Sequence, residues 1–206
     1  MNRDELEPLF RARRERVLAP MAPKIQEHLV SYFKGYERID RITARAKAVD
    51  RFVDKALKIE NGQRKYSEPL QQIQDQIGAR IVTFYLADVD AVAAAVDRYF
   101  RKIEDRTIVP DSEAEFGYFG KHYILFIPED ILVDFEGEGC PKFFELQVKT
   151  LFQYAWAEAE HDIGYKPSIQ LTPDQKRKIA FTAAQAWGAD RIFAELSDEL
   201  GSVAAT

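Results

Sequence analysis

Residues 143 to 166, Phe-Phe-Glu-Leu-Gln-Val-Lys-Thr-Leu-Phe-Gln-Tyr-Ala-Trp-Ala-Glu-Ala-Glu-His-Asp-Ile-Gly-Tyr-Lys, constrain the fold of this chain more than any other run. Phe144, Leu146 and Val148 alternate with Glu145, Gln147 and Lys149, the period of two that gives a strand one apolar and one polar face. Side chains on one face repeat roughly every 6–7 Å, so a carboxylate, an amide and an ammonium stand in a row. Thr150 suits an N-cap, and the Leu/Phe/Tyr/Ala/Trp run after it predicts a helix of about three turns. The polar row reads as an active-site floor or as an ordinary sheet edge turned to water. The run by itself leaves both open.

With 206 residues and 46% apolar content, the chain can build one sizeable core. No apolar run approaches the ~20 residues of a membrane span, and the N-terminus MNRDELEPLF is charged where a signal peptide needs an apolar segment. The expectation is a cytoplasmic protein with no membrane partner. A single cysteine, Cys140, excludes an internal disulfide and any cysteine-rich metal site. A net charge of −5 argues against coating nucleic acid over the whole surface, while local basic patches remain open.

Between residues 4 and 34 apolar positions recur at helical spacing and are interrupted near Pro20 and Pro23, which predicts two amphipathic helices. The cations Arg11, Arg13, Arg14 and Arg16 are either a solvated face or a phosphate or RNA contact. Ile39 to Ile42 predicts a short strand. In the helix that follows, Val49, Phe52, Val53 and Leu57 mark the buried side, and Arg45, Lys47, Arg51 and Lys55 gather at its start or opposite side. Cations at a strand end and helix start grip polyphosphates, though a solvated face has the same pattern.

Residues 60 to 69 read as a loop ending in a Pro that opens a short helix. The run to Tyr85 ends in a β-branched and aromatic strand, with Gly78 allowing close backbone approach and Asp75 and Arg80 bracketing its start. Residues 88 to 100 are an amphipathic helix; 102 to 115 read as a loop or irregular edge. Phe116-Gly117-Tyr118-Phe119-Gly120-Lys121-His122 is a Gly-rich turn leading into an apolar strand, and its aromatic, Lys and His groups could serve a base and phosphates or simply core and surface. A turn at 137 to 139 precedes the opening run, and residues 172 to 200 carry Ile179, Ala183, Ala186, Trp187, Ile192, Phe193 and Leu196 on one or two helices packing on the body.

Taken together and in order, four segments resemble the synthetase domain of the RelA/SpoT family, enzymes that move a pyrophosphate from ATP to the ribose 3′-hydroxyl of a guanine nucleotide. Arg45-x-Lys47 with Phe52 and Lys55 is similar to the ATP-binding strand and helix, and Lys65-Tyr66 with Pro69-Leu70 to the run-up to the next motif. Asp75-x-Ile77-Gly78-x-Arg80-Ile81 resembles the metal-binding motif, and Phe116-Gly117-Tyr118 with His122 the guanosine loop. Glu145-x-Gln147-x-Lys149-Thr150, then Ala155-Trp156-Ala157-Glu158-x-Glu160-His161-Asp162 and Tyr165-Lys166, resembles the closing signature. His28 and His122 are the only other histidines, so the His161-Asp162 pair lacks the constellation of a hydrolase.

The resemblance implies an α/β fold of nucleotidyltransferase type, a mixed five-stranded sheet flanked by helices. It implies a small synthetase of one domain over residues 1–206, with N-terminal helices at 1–38, a catalytic core at 39–166 and C-terminal helices at 167–206. The implied activity makes (p)ppGpp from ATP and GTP or GDP. Asp75 and Glu145 would hold Mg²⁺, and Glu145 would take the proton of the attacking hydroxyl. Arg45, Lys47, Arg51, Lys55 and Arg80 would bind ATP, while Tyr118, Lys121, His122, Gln147 and Lys149 would bind the acceptor. Gly120 and Arg51 stand where the family often has Ser, Lys149 where it has Arg, and residues 111 to 115 are acidic where many relatives carry Lys. These departures keep two alternatives: a toxin that pyrophosphorylates tRNA or an adenine nucleotide, with an antitoxin as partner, and a catalytically impaired nucleotide-binding regulator. Small synthetases of this type are often homo-oligomers.

Overall fold

The computed structural model describes residues 1–107, 117–118, 120–135, 139–164 and 171–204. Five strands form one mixed sheet in the order β1-β4-β7-β6-β5: β1 (Ile39–Ala46), β4 (Ile77–Thr83), β7 (Phe143–Thr150), β6 (Lys121–Phe126) and β5 (Lys102–Thr107). The central pair β4 and β7 is parallel and the other three pairings are antiparallel. A hairpin of β2 (Ile59–Glu60) and β3 (Gln63–Arg64) stands apart from the sheet.

Alternation along each strand sends one set of side chains into a helical layer. Ile77, Ala79 and Ile81, with Phe144, Leu146 and Val148, meet Leu6, Phe10, Met21, Ile25 and Leu29 of the N-terminal helices and Val92 and Val96 of α5 (Leu86–Tyr99) in one buried cluster. Phe10 stacks on Phe52 of α3 (Val49–Ala56) with ring centroids 3.6 Å apart; a fully buried Phe contributes about 1.5–3 kcal/mol. The opposite face of the sheet carries the polar row; α7 (Leu151–Gly164) lies over β4 and β7, and α8 (Pro173–Ala204) packs on α7 and α5.

Several elements differ from the sequence-based expectation. The break in the N-terminal helices falls at a π-helical turn, Arg14–Leu18, between α1 (Arg3–Arg13) and α2 (Ala19–Tyr32). Pro20 is the second residue of α2, directly after the π-helical turn, and Pro23 lies inside the helix. Strand β1 runs on through Arg45, so this residue projects from the sheet rather than from the helix start. Residues 102–107 are a strand, not a loop: at the sheet edge, charged side chains are tolerated on both faces. A short α4 (Pro69–Gln72) matches expectation, and α6 (Glu129–Val133) had no sequence signal. Helix α7 has 14 residues, about four turns, and the C-terminal segment is one helix of 32 residues. Its apolar residues do not all pack on the body: Ala183 is buried, while Trp187, Ile192, Phe193 and Leu196 are exposed. Among the described residues no helix is long and apolar enough to cross a membrane.

Candidate functional site

The register across the sheet builds the site. Gly78 of β4 pairs with Arg45 of β1 on one side and Glu145 of β7 on the other. Two residues along, Arg80 pairs with Thr43 and Gln147, and Gln147 pairs with His122 of β6. Arg45, Arg80, Glu145, Gln147 and His122 therefore share a face. Close backbone approach does not account for Gly78: a Cβ there would meet no heavy atom within 4 Å. Its missing side chain leaves open floor between Arg45 and Glu145.

Asp75 sits on the turn that enters β4. The Lys47 amide donates to the Gln76 carbonyl at 2.9 Å, and the buried Gln76 amide donates to the Leu70 and Ile73 carbonyls at 2.9 and 2.8 Å. The turn is thus pinned to the end of β1. Asp75 Oδ2 accepts from Lys47 Nζ at 2.7 Å and pairs with Lys55 Nζ of α3 at 2.9 Å. Burial pushes the Asp75 carboxyl up, but the two ammonium groups together outweigh it and hold it below the usual range. Asp75 Oδ1 is buried and makes no hydrogen bond, an arrangement that suits a hard cation.

Glu145 is held from both sides. His122 Nδ1 lies 3.2 Å from Oε1, and Gln147 Nε2 donates to Oε2 at 3.0 Å. Burial raises the Glu145 pKa, His122 and Gln147 lower it, and Asp75 is close enough to raise it again; the net result is below the usual value. The carboxylate is therefore an ionised base at neutral pH. Lys149 lies further along the same face, 5% exposed. Burial first and the Arg80 guanidinium second press its pKa down to about 8. Arg80 itself donates to Glu158 at 2.7 Å, and its guanidinium sits 5.1 Å from the Tyr154 ring centroid, with Arg41 5.2 Å from the same ring. Arg51 is half-buried on α3, one turn before Lys55.

Two expected acceptor residues are placed elsewhere. Lys121 does not face the site: strand alternation turns it to the helical layer, where its ammonium donates to Asp90 of α5 at 2.7 Å. Tyr118 is buried rather than open for stacking; its ring packs with Trp156 and Ala183, and its hydroxyl donates to Asp190 of α8 at 2.6 Å. Phe116, Phe119, the acidic stretch 111–115, the turn residues 137 and 138, and the pair Tyr165-Lys166 lie outside the described residues.

Asp190 and Tyr154 were not anticipated. Asp190 had a signal: it continues the stripe Ile179, Ala183, Ala186 at helical spacing, so the stripe that packs inward ends in a carboxylate. Tyr154 had none, since an aromatic on a helix after a strand reads as core.

The carboxylates of Asp75 and Glu145 thus lie beside the cations Lys47, Lys55, Arg80 and Lys149, an arrangement whose charge suits a polyanion. Residues 44–170 match the region found in RelA / SpoT proteins, and the chain belongs to that family. It is 28% identical over 203 residues to the GTP pyrophosphokinase YjbM of Bacillus subtilis (strain 168), covering 92% of this chain and 89% of that protein. The fold is similar to a GTP pyrophosphokinase family protein from Streptococcus pneumoniae, with a TM-score of 0.70 and 21% identity over 88% of this chain and 90% of that one. It is also similar to the small alarmone synthetase 1 of Bacillus subtilis bound to its product pppGpp, with a TM-score of 0.69 and 21% identity over 94% and 97% of the two chains.

Proposed function

We propose that this chain is a pyrophosphotransferase that moves the β,γ-pyrophosphate of ATP to the ribose 3′-hydroxyl of GTP or GDP, making (p)ppGpp. The observation that carries the reading is the pairing of an ionised Glu145, oriented by His122 and Gln147, with Asp75 and its two lysines across Gly78.

Among the described residues no group of three or more His, Cys, Asp or Glu converges as a complete metal centre. A cation here would take Asp75 and Glu145 and complete its shell with phosphate oxygens and water, which is the habit of Mg²⁺. When bound, it supplies charge neutralisation and alignment of the phosphates. The chain's own residues do the rest. Lys47 and Lys55 exchange Asp75 for donor phosphate oxygens, with Arg45 and Arg51 alongside, offsetting the charge that phosphoryl transfer develops. Glu145 accepts the proton of the 3′-hydroxyl as its oxygen bonds to the β-phosphorus. The bond from that phosphorus to the α,β-bridging oxygen breaks, and AMP leaves. Gln147, His122 and Lys149 line the acceptor side.

Purified protein incubated with Mg²⁺, γ-labelled ATP and either GTP or GDP should yield one labelled 3′-pyrophosphorylated nucleotide per AMP released. Absence of transfer to both acceptors overturns the reading; transfer to tRNA or to an adenine nucleotide instead reassigns the acceptor.

A further inference from the structure

The C-terminal helix packs on α7, where Trp156 meets Ile179, Ala183 and Ala186 and Phe152 stacks on Phe193, yet few of its side chains are fully buried. Among its described residues only Ala183 and Asp190 are fully buried, two helical turns apart on one side. Among the described residues Asp190 is the only buried carboxylate on that side, and its contacts reach into the site described above. Its Oδ2 accepts from the Tyr118 hydroxyl at 2.6 Å and from Thr150 Oγ1 at 2.5 Å. Thr150 Oγ1 in turn accepts the Gln153 amide at 3.1 Å, and the Gln153 side chain accepts the Thr150 amide at 2.9 Å. This reciprocal cap starts α7 immediately after Lys149. One carboxylate oxygen therefore ties three segments together: α8, the end of β7 where the polar row stops, and the segment before β6.

Gly120 lies against the Val148 carbonyl and the Lys149 stem, and His122, two residues on, is the partner of Glu145. A movement of Tyr118 must be taken up between Tyr118 and His122. Burying an unpaired carboxylate is unfavourable, and each hydroxyl that reaches Asp190 relieves that cost, so helix and loop are bound to dock together.

We propose that Asp190 is a positioning residue: through Tyr118 it makes α8 the clamp that sets the acceptor-side wall of the site, leaving the donor side, built on β1, α3 and Asp75, untouched. The assignment of an acceptor side rests on the function proposed above; the clamp itself does not.

Replacing Asp190 with Leu removes both hydrogen bonds at similar volume, and Asp190→Asn keeps one oxygen that can accept from both hydroxyls. In D190L the amides of the peptide spanning 117–123 should exchange hydrogen about tenfold faster than in wild type, while those of β1 and β4 are unchanged. The acceptor KM should rise about tenfold with the ATP KM within about twofold, and D190N should recover most of the loss. Tyr118→Phe combined with D190L should be no worse than D190L alone. An unchanged exchange rate at 117–123 overturns the clamp. Equal rises in the two KM values, with a lowered melting temperature, reduce Asp190 to a structural anchor and overturn the acceptor-side role. A wild type that transfers pyrophosphate to no acceptor overturns the proposed function, and the exchange measurement still decides the clamp.

Discussion

Gly120 and Lys149 face each other where β6 begins and β7 ends, so closely that a Cβ on Gly120 would fall 2.5 Å from Lys149 Cγ and still nearer the Val148 carbonyl oxygen. The lysine stem could yield; the strand carbonyl cannot without disturbing the ladder. Gly120→Ala should therefore lower stability by about 1–3 kcal/mol, a melting-temperature fall of roughly 2–10 °C for a chain of this size. Combining it with Lys149→Ala should recover only part of that, because the carbonyl remains. A G120A protein that melts with wild type would show that the segment moves aside freely.

Lys149 gives a stability prediction with a definite sign. Its pKa is pressed down to about 8 by burial and then by Arg80. A depressed lysine disfavours the folded state at every pH below its folded value, and the penalty fades as pH rises from there to the ordinary lysine range. Lys149→Met should raise the stability at pH 7 by an amount on the order of 1–3 kcal/mol, seen as a higher melting temperature, and the gain should shrink by pH 10. The same variant should lose acceptor affinity. A melting temperature that falls at pH 7 would contradict the account.

The Asp75 carboxyl lies below its ordinary range because Lys47 and Lys55 together outweigh its burial. A depressed carboxyl contributes stability that is fully present above its unfolded pKa and is lost as pH falls through its folded one. The stability gap between wild type and Asp75→Asn should be flat from pH 6 to 8 and close below the ordinary carboxylate range. Acid denaturation curves of the two proteins measure it; a gap that widens in acid would reverse the assignment of the lysines.

Glu145→Gln should reduce pyrophosphate transfer by about 10²–10⁴-fold, the usual contribution of a general base, with ATP affinity changed little. Because His122 is the strongest of the influences lowering the Glu145 pKa, His122→Ala should move the acid limb of the kcat/KM profile to higher pH. A limb that stays in place would mean that Glu145 is not the titrating base.

Much of this site was legible before any fold was known. The row Glu145, Gln147, Lys149 followed from period-two alternation, and the cations of 45 to 55 from their excess around a strand end and the helix after it. The placements that were not legible had physical causes. Tyr118 reads as a free aromatic beside glycines, and nothing local reveals that Asp190, far along the chain, offers its hydroxyl a buried acceptor. Lys121 and His122 are adjacent in sequence and look like one binding pair, yet neighbouring strand residues point to opposite faces, and only the position of α5 decides which of them meets Asp90. The strand at 102–107 was missed because edge pairing overrides a polar local sequence.

What the sequence determined is what depends on neighbours along the chain: strand and helix periods, the cap at Thr150, the chemical kinds of side chain on each face, and through their order the family. The tertiary structure decided which groups meet. Parallel pairing of β4 with β7 in the register Gly78 to Glu145 brings Asp75 within electrostatic reach of Glu145, and a slip of one residue would turn Glu145 into the apolar layer. That register is fixed by burial of Phe144, Leu146 and Val148 against the helices, a property of the whole fold that no local pattern contains.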